Sequence, residues 1–184
     1  MSFSMNFKKI MAASVLAGAS LTAMADITID GGKLFVAENG EVTLTFLGSD
    51  AGYTDVLMFL GSSIFTGHLT DVGTVFDLGS FAAGTELTFQ LHVNNTGNDF
   101  YTGPESANFD GVLHARAVLN GSKEAVVGFE DLQGGGDRDY NDLEFRVTNV
   151  SNVPAVPEAS SLGMMLAGLG VMGWFGRRRK ARPA

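Results

Sequence analysis

The chain of 184 residues has no cysteine, only four prolines and a single tryptophan. Without cysteine, the protein cannot form disulfides, use a thiol in catalysis or build Cys-ligated zinc and iron–sulfur sites. The three histidines, His68, His92 and His114, stand far apart and belong to no catalytic motif. His92 and His114 are expected on the polar faces of strands. Stability must therefore come from a hydrophobic core or from a bound metal.

Basic residues are scarce in the central region. Residues 26–157 contain five basic and nineteen acidic residues, a net charge of −14. Such a surface repels nucleic acid and anionic lipid and attracts cations, so no nucleic-acid partner is expected. A segment of about 130 residues is an ordinary size for one domain with its own core.

The first 25 residues have the layout of a secretory signal peptide. Lys8 and Lys9 precede an apolar, alanine-rich stretch at 10–21, and Ala23 and Ala25 form a small-x-small cleavage site. Positive, apolar and small-residue regions in this order direct export. We therefore predict a signal helix within 1–25 and a mature chain that begins at Asp26.

A second apolar run lies at 162–175, close to the C-terminus. Its fourteen residues are fewer than the roughly 20 that a stable spanning helix needs. A short motif precedes the run and a basic cluster follows it, which fits a cytoplasmic stop. The motif is Val156, Pro157 and Glu158, and the cluster is Arg177, Arg178, Arg179 and Lys180. We predict a linker at 151–157 and a sorting or anchor segment at 158–184, with an ordinary C-terminal membrane anchor as the alternative.

This tail resembles the PEP-CTERM sorting signal of Gram-negative bacteria, with Ala159 where the signal usually has a second proline. The resemblance implies a hydrophobic sorting helix and processing near Pro157 and Glu158 by an exosortase-type enzyme. It also implies transient anchoring in the inner membrane. The expected destination is the cell envelope, the cell surface or an extracellular polysaccharide matrix such as a biofilm.

Apolar and polar residues alternate along much of the region 26–150, as in Val42, Leu44 and Phe46. Alternation with period two is typical of strands that bury one face. Turn residues separate the segments, and no helical period is convincing, so we predict an all-β fold. The expected architecture is a single antiparallel β-sandwich, jelly-roll or Ig-like, with a loop at 94–99. Strands are predicted at 27–29, 34–36, 42–46, 56–60, 74–76, 87–93, 112–119, 124–129 and 143–147.

The strongest internal motif is an acidic, glycine-rich loop within 128–145. Oxygen donors at alternate positions of a flexible loop can turn toward one centre, and hard oxygen ligands favour Ca²⁺. The alternatives are a loop whose Asp and Asn side chains cap its own turns and a catalytic carboxylate cluster. The predicted metal ligands are Glu130, Asp131, Asp137, Asp139, Asn141 and Asp142.

Residues 128–145 also resemble a domain of unknown function found in bacterial surface proteins. Its hallmark is a Gly-Phe-Glu-Asp run, a glycine-rich spacer and then Gly-Asp-x-Asp-Tyr-Asn-Asp before a strand. The resemblance implies a β-rich module with a suspected calcium site, and it brings no enzyme activity.

Three functions compete on this basis. The first is an exported structural or interaction protein, stabilised by calcium and associated with envelope or matrix polysaccharide. The second is a carbohydrate-binding module, for which the candidate stacking residues are Tyr53, Phe100, Tyr101 and Tyr140. The third is a glycoside hydrolase, which needs two carboxyl groups at a set separation in a cleft. No nucleophile or phosphate-binding motif appears, so the protein is not expected to be an enzyme.

Overall fold

The computed structural model describes residues 25–121, 123–155 and Leu169. The predicted signal helix, with Ala23, therefore lies outside the described residues. So do Val156, Pro157 and Glu158, the apolar run apart from Leu169, and the basic cluster. Within the described ranges, no helix is both long enough and apolar enough to cross a membrane.

The described chain is nearly all β, which confirms the predicted fold class. Every pairing between the described strands is antiparallel. The helices described within 25–155 are two single 3₁₀ turns, Gly67–Leu69 and Glu105–Ala107. The strands are β1 (Ile27–Asp30), β2 (Leu34–Val36), β3 (Gly40–Gly48), β4 (Asp55–Phe59), β5 (Ser62–Thr66), β6 (Val75–Phe81), β7 (Glu86–Leu87), β8 (Phe89–Val93), β9 (Asn98–Tyr101), β10 (Ala115–Asn120), β11 (Glu124–Phe129), β12 (Leu143–Thr148) and β13 (Val150–Ser151).

These strands form three sheets. The largest has six strands in the order β1-β10-β11-β12-β3-β6, and the second has four in the order β5-β4-β8-β9. A small third sheet joins β13, β2 and β7. The β11–β12 hairpin thus lies inside the six-stranded sheet, where both strands have neighbours on either side.

Aromatic side chains from the two larger sheets meet in one core. The rings of Phe89 in β8 and Phe145 in β12 are 4.9 Å apart, and those of Phe46 in β3 and Phe65 in β5 are 5.4 Å apart. All four side chains are almost completely buried. Burying one such side chain stabilises the fold by roughly 1.5–3 kcal/mol, so this contact between sheets is a principal source of stability.

The predicted loop at 94–99 is partly wrong, because Asn98 and Asp99 begin β9. The carboxylate of Asp99 accepts hydrogen bonds from Gln90 Nε2 at 2.8 Å and contacts His92 Nδ1 at 2.7 Å across the β8–β9 pair. Polar cross-strand partners therefore replace the solvent that surrounds such polar residues in a loop. Ser151, placed in the predicted linker, lies in β13.

Candidate metal centre in the acidic loop

The acidic loop connects β11 to β12 at one end of the six-stranded sheet. Phe129 and Leu143 face each other as the last pair of the two strands. The N–H of Asp142 donates to the carbonyl of Phe129 at 3.1 Å and closes the base of the loop. Glu130 and Asp131 therefore leave the sheet beside Asp142, which returns to it.

The loop folds back onto its own hairpin because Gly128 has no side chain. A Cβ on Gly128 would lie 1.9 Å from the carbonyl oxygen of Tyr140. No side chain fits at that distance, so the main chain of Tyr140 can cross β11 only above a glycine. The glycine of the Gly-Phe-Glu-Asp run thus determines how the loop sits.

Glu130 is the anchor of the loop interior. Its side chain is buried, and its carboxylate accepts hydrogen bonds from the main-chain N–H groups of Arg138 and Tyr140. Gly136, Arg138 and Tyr140 have positive φ angles of 48°, 66° and 62°. Left-handed residues at alternate positions turn successive N–H groups to one side, which creates a cradle for an anion.

Three carboxylates converge above this cradle. One oxygen each from Glu130, Asp137 and Asp139 lies within 4.8 Å of the other two. Ca²⁺ binds oxygen at 2.3–2.6 Å, so ligands on opposite sides of one ion are separated by about this distance. Burial raises the pKa of Glu130, and the charges of Asp137 and Asp139 raise it further. We call these three residues the outer group.

The outer group also bonds to its own loop. Asn141 donates from its side-chain Nδ2 to Asp139 Oδ2 at 2.7 Å and from its main-chain N–H to Asp139 Oδ1 at 3.3 Å. The N–H of Asp139 lies 3.4 Å from Asp137 Oδ1. These are the self-capping bonds of the alternative prediction, and Asn141 serves here as a donor. The outer group therefore has both the convergence of a metal site and the internal bonds of a self-capped loop.

The other two predicted ligands, Asp131 and Asp142, are not among the three converging carboxylates of the outer group and lie beside Asp55. Asp142 Oδ2 accepts a hydrogen bond from the N–H of Asp131 at 2.8 Å. Asp55, the first residue of β4, is completely buried. We call Asp55, Asp131 and Asp142 the inner group. The structure thus divides the predicted ligand set in two and adds a residue from far upstream in the sequence.

Burial dominates the electrostatics of the inner group. It raises the pKa of Asp55 from 3.8 to about 7, with further contributions from the charges of Asp131 and Asp142. Burial also raises the pKa of Asp142 to about 6, and the hydrogen bond from the N–H of Asp131 opposes the shift. The charges of Asp131, Glu130 and Asp139 add to it. Three negative charges in a poorly solvated space disfavour one another. The inner group is therefore an unfavourable arrangement for the fold without a counter-charge.

His114 supports the loop from below, and its predicted position on a polar face is wrong. Its side chain is completely buried and stacks on Phe100 with 3.7 Å between ring centroids. Nδ1 lies 3.0 Å from the carbonyl oxygen of Glu130, and Nε2 lies 2.9 Å from the carboxylate of Asp110. The same Asp110 oxygen accepts the N–H of Gly134 at 2.8 Å. His114 and Asp110 therefore hold the loop and do not form an open site.

Residues 81–149 match the family model of a domain of unknown function (DUF4114), and residues 155–180 match that of the PEP-CTERM protein-sorting motif. The chain carries a DUF4114 domain and a PEP-CTERM motif. Both sequence resemblances are confirmed. No curated protein matches the chain. The sorting motif implies an exported protein that exosortase processes and that is associated with the membrane of the cell envelope. The acidic loop lies wholly inside the DUF4114 match, whereas Asp55 lies outside it.

The predicted stacking residues have different environments within and around the DUF4114 domain. Phe100 and Tyr140 are buried, so neither can serve as an open platform for a sugar. Tyr53 and Tyr101 are half-buried. Phe109, which the sequence pattern does not single out, is 60% exposed and stacks on Phe100. It shares a surface cleft with Tyr101, Asn98 and Asp99, among others.

Proposed function

We propose that the protein is an exported structural or interaction module of the cell envelope whose fold is stabilised by Ca²⁺ in the acidic loop. The packing of the six-stranded sheet against the four-stranded sheet supports a single β-sandwich as the architecture of this module. The convergence of Glu130, Asp137 and Asp139 within 4.8 Å is the observation that carries the calcium proposal. Association with extracellular polysaccharide or a biofilm is the expected setting, and the proposed role involves no catalysis.

Calcium acts in this proposal as a switch of stability. Without the ion, the carboxylates of the loop repel one another and oppose the fold. An ion that binds only the folded state stabilises it by about 2.7 kcal/mol at a hundredfold excess over Kd. Extracellular calcium modules bind with a Kd of about 10⁻⁴–10⁻³ M, which suits a protein that folds outside the cytoplasm.

Thermal unfolding of the purified protein tests the proposal. We expect Ca²⁺ at about 10 mM, a hundredfold excess over a Kd of about 10⁻⁴ M, to raise the melting temperature by roughly 10 °C and a chelator to reverse the change. Asp137→Asn and Asp139→Asn should each reduce the rise, because each removes one charged ligand without changing the size of the side chain. Asp77→Asn, on exposed β6, is the matched control. A melting curve that Ca²⁺ leaves unchanged would overturn the proposal and leave only the self-capped loop.

A second candidate function, carbohydrate binding, is favoured by one observation. Phe109 exposes an aromatic face beside Tyr101 and the carboxylate of Asp99, in a cleft of about 430 Å³. Aromatic faces and nearby carboxylates are the usual surfaces for sugar rings. Screening the protein on a glycan array tests this function. Phe109→Ala should abolish any binding found, whereas Phe76→Ala, another exposed phenylalanine, should not. The absence of any bound glycan would exclude this candidate.

A further inference from the structure

Four buried side-chain oxygen atoms of the described residues have no hydrogen-bond partner when the carboxyl groups are ionised. Both carboxylate oxygens of Asp55 and Oδ2 of Asp131 account for three of them, and Ser49 Oγ is the fourth. Buried polar atoms are almost always paired, and a buried carboxylate with no donor is especially unfavourable. The clustering of these atoms therefore requires a specific explanation.

The four atoms belong to one region of the fold. Ser49 lies in the connection from β3 to β4, and Asp55 is the residue at which this connection ends. Ser49 Oγ and the main chain of Asp55 both lie within 4 Å of the place a Cβ on Gly67 would occupy. Asp131 contacts this connection directly, because its carboxylate accepts a hydrogen bond from the N–H of Tyr53. Unpartnered oxygens from two separate segments thus lie in one region of the fold, where the side chains of Asp55 and Asp131 contact each other.

When its carboxyl group is ionised, each unpartnered oxygen of the inner group can accept a hydrogen bond but cannot donate one. The carboxyl groups of Asp55 and Asp131 lie within hydrogen-bonding reach of each other, and they can satisfy each other only if a proton or a metal ion lies between them. A divalent cation supplies positive charge to Asp55, Asp131 and Asp142 at the same time. Hard oxygen ligands of this kind are those that Ca²⁺ selects.

We propose that Asp55, Asp131 and Asp142 bind a second divalent cation, of which Ca²⁺ is the best match, at a site separate from the outer group. Asp142 Oδ2 is already held by the N–H of Asp131, which orients this carboxylate for the ion. A surface cleft lined by Gly52, Tyr53, Leu132, Asp131 and Asp142 gives the site an entrance for the ion and its waters. The inner site rests on the proposed calcium-dependent role of the loop, but its ligands are different.

An ion at the inner site links two sheets. Asp55 begins β4 of the four-stranded sheet, whereas Asp131 follows β11 and Asp142 precedes β12 of the six-stranded sheet. The segments already meet through the hydrogen bond from the N–H of Asp50 to the carbonyl of Asn141, at 3.1 Å. Coordination by all three carboxylates would join the β3–β4 connection, outside the DUF4114 match, to the loop inside it. The ion-binding unit is then larger than the matched domain.

Isothermal titration of the purified full chain with Ca²⁺ tests the inner site. We expect Asp55→Asn to remove one binding site of the wild-type stoichiometry, and Asp142→Asn to do the same or weaken that site at least tenfold. Asp137→Asn should leave the inner site intact, and Asp77→Asn should change nothing. In metal-free buffer at pH 8, Asp55→Asn should raise the melting temperature, because it removes a buried charge that lacks a partner. A merely structural role for Asp55 would lower it.

The outcomes separate this inference from the proposed function. No Ca²⁺ binding by the wild type would overturn both. Wild-type stoichiometry and affinity in Asp55→Asn and Asp142→Asn, with binding lost in Asp137→Asn, would overturn the inner site and keep the outer one. If Asp55→Asn does not fold even with Ca²⁺, the stoichiometry of Asp142→Asn decides, since Asp142 is only half-buried.

Discussion

The outer group and the inner group both consist of carboxylates but lie in different environments. Asp137 and Asp139 are exposed, and hydrogen bonds within the loop satisfy them in part. Asp55 and Asp131 are buried, and three of their oxygens have no partner. Water screens the outer charges, whereas the interior screens the inner charges weakly. The position and the unmet hydrogen bonds of a carboxylate, more than the number of carboxylates, therefore indicate where a cation is needed.

The largest expected effect comes from breaking both groups together at Gly128. A Cβ at this position would overlap the carbonyl oxygen of Tyr140 at 1.9 Å, so the loop cannot lie on β11. Gly128→Ala should lower the free energy of unfolding by about 3 kcal/mol and abolish the calcium response. Ser80→Ala, at an exposed position of β6, is the control. Urea unfolding with and without Ca²⁺ measures both, and a stable, calcium-responsive Gly128→Ala variant would contradict this account of the loop.

The next largest effect is expected from a change of pH, which tests the inner group. The carboxyl group of Asp55 has a pKa of about 7 in the fold, against an ordinary value of 3.8. Between these values the folded protein keeps a proton that the unfolded chain has released, so stability falls as pH rises from about 4 to 7. The pKa of Asp142, raised to about 6, acts in the same direction. We expect unfolding in metal-free buffer to require about 2 kcal/mol less at pH 7 than at pH 5.

Two variants sharpen this pH test. Asp55→Asn should remove most of the slope, because the group that binds the extra proton is gone. Asp77→Asn should retain it. Saturating Ca²⁺ should also flatten the slope in the wild type near pH 7, since the ion replaces the proton. Identical slopes in the wild type and Asp55→Asn would show that the inner group does not govern the response to pH.

A smaller effect is expected from a substitution that disrupts the outer group alone. A Cβ on Gly136 would lie 2.1 Å from Glu130 Oε2, and the φ of +48° is unfavourable for alanine. Gly136→Ala should therefore displace the Glu130 carboxylate and lower the free energy of unfolding by about 1–2 kcal/mol. Calorimetry should show loss of the outer Ca²⁺ site with the inner one retained. Loss of both sites would show that the two groups are coupled and are not separate.

The smallest effect is expected from a substitution that removes one self-capping hydrogen bond. Asn141→Ala deletes the 2.7 Å hydrogen bond to Asp139 but keeps the main-chain contacts of the loop. We expect a decrease of about 0.5–1 kcal/mol in the free energy of unfolding without Ca²⁺. Exposed Asn152→Ala is the control. If the substitution lowers the free energy of Ca²⁺ binding by more than it lowers the free energy of unfolding, Asn141 acts as a ligand when the ion is present.

Alternating patterns in the sequence predict β3, β8 and β12, because each buries one face against the core. They do not reveal β5, Ser62–Thr66, whose pattern of alternation is weak and whose position follows from pairing with β4. β9 is hidden for a different reason. Its first two residues are polar, and only the side chains of β8 make an extended conformation favourable there. A strand can thus be predicted from the local sequence where one of its faces is apolar. Elsewhere the strand depends on tertiary contacts.

The sequence motif predicts six oxygen-bearing residues of the loop but not how they divide. The division follows from the positive φ angles at Arg138 and Tyr140, which turn the cradle toward Glu130. Nothing in the pattern around Asp55 indicates a site, since an aspartate at the start of a strand is ordinary. Its role depends on the pairing of β4 within the other sheet. The sequence identifies residues that can bind an ion, whereas the fold decides which of these residues lie together.

The pairing of β13 with β2 has a consequence for how the protein is displayed. Val150 and Ser151 are fixed in the small sheet, and Ala155 still lies close to Gly84. The sorting motif begins at residue 155. Four residues reach at most about 14 Å. Any surface that binds the motif therefore holds the folded domain almost in contact with that surface. Tethered molecules of this kind would line a boundary closely, with little freedom to reach outward.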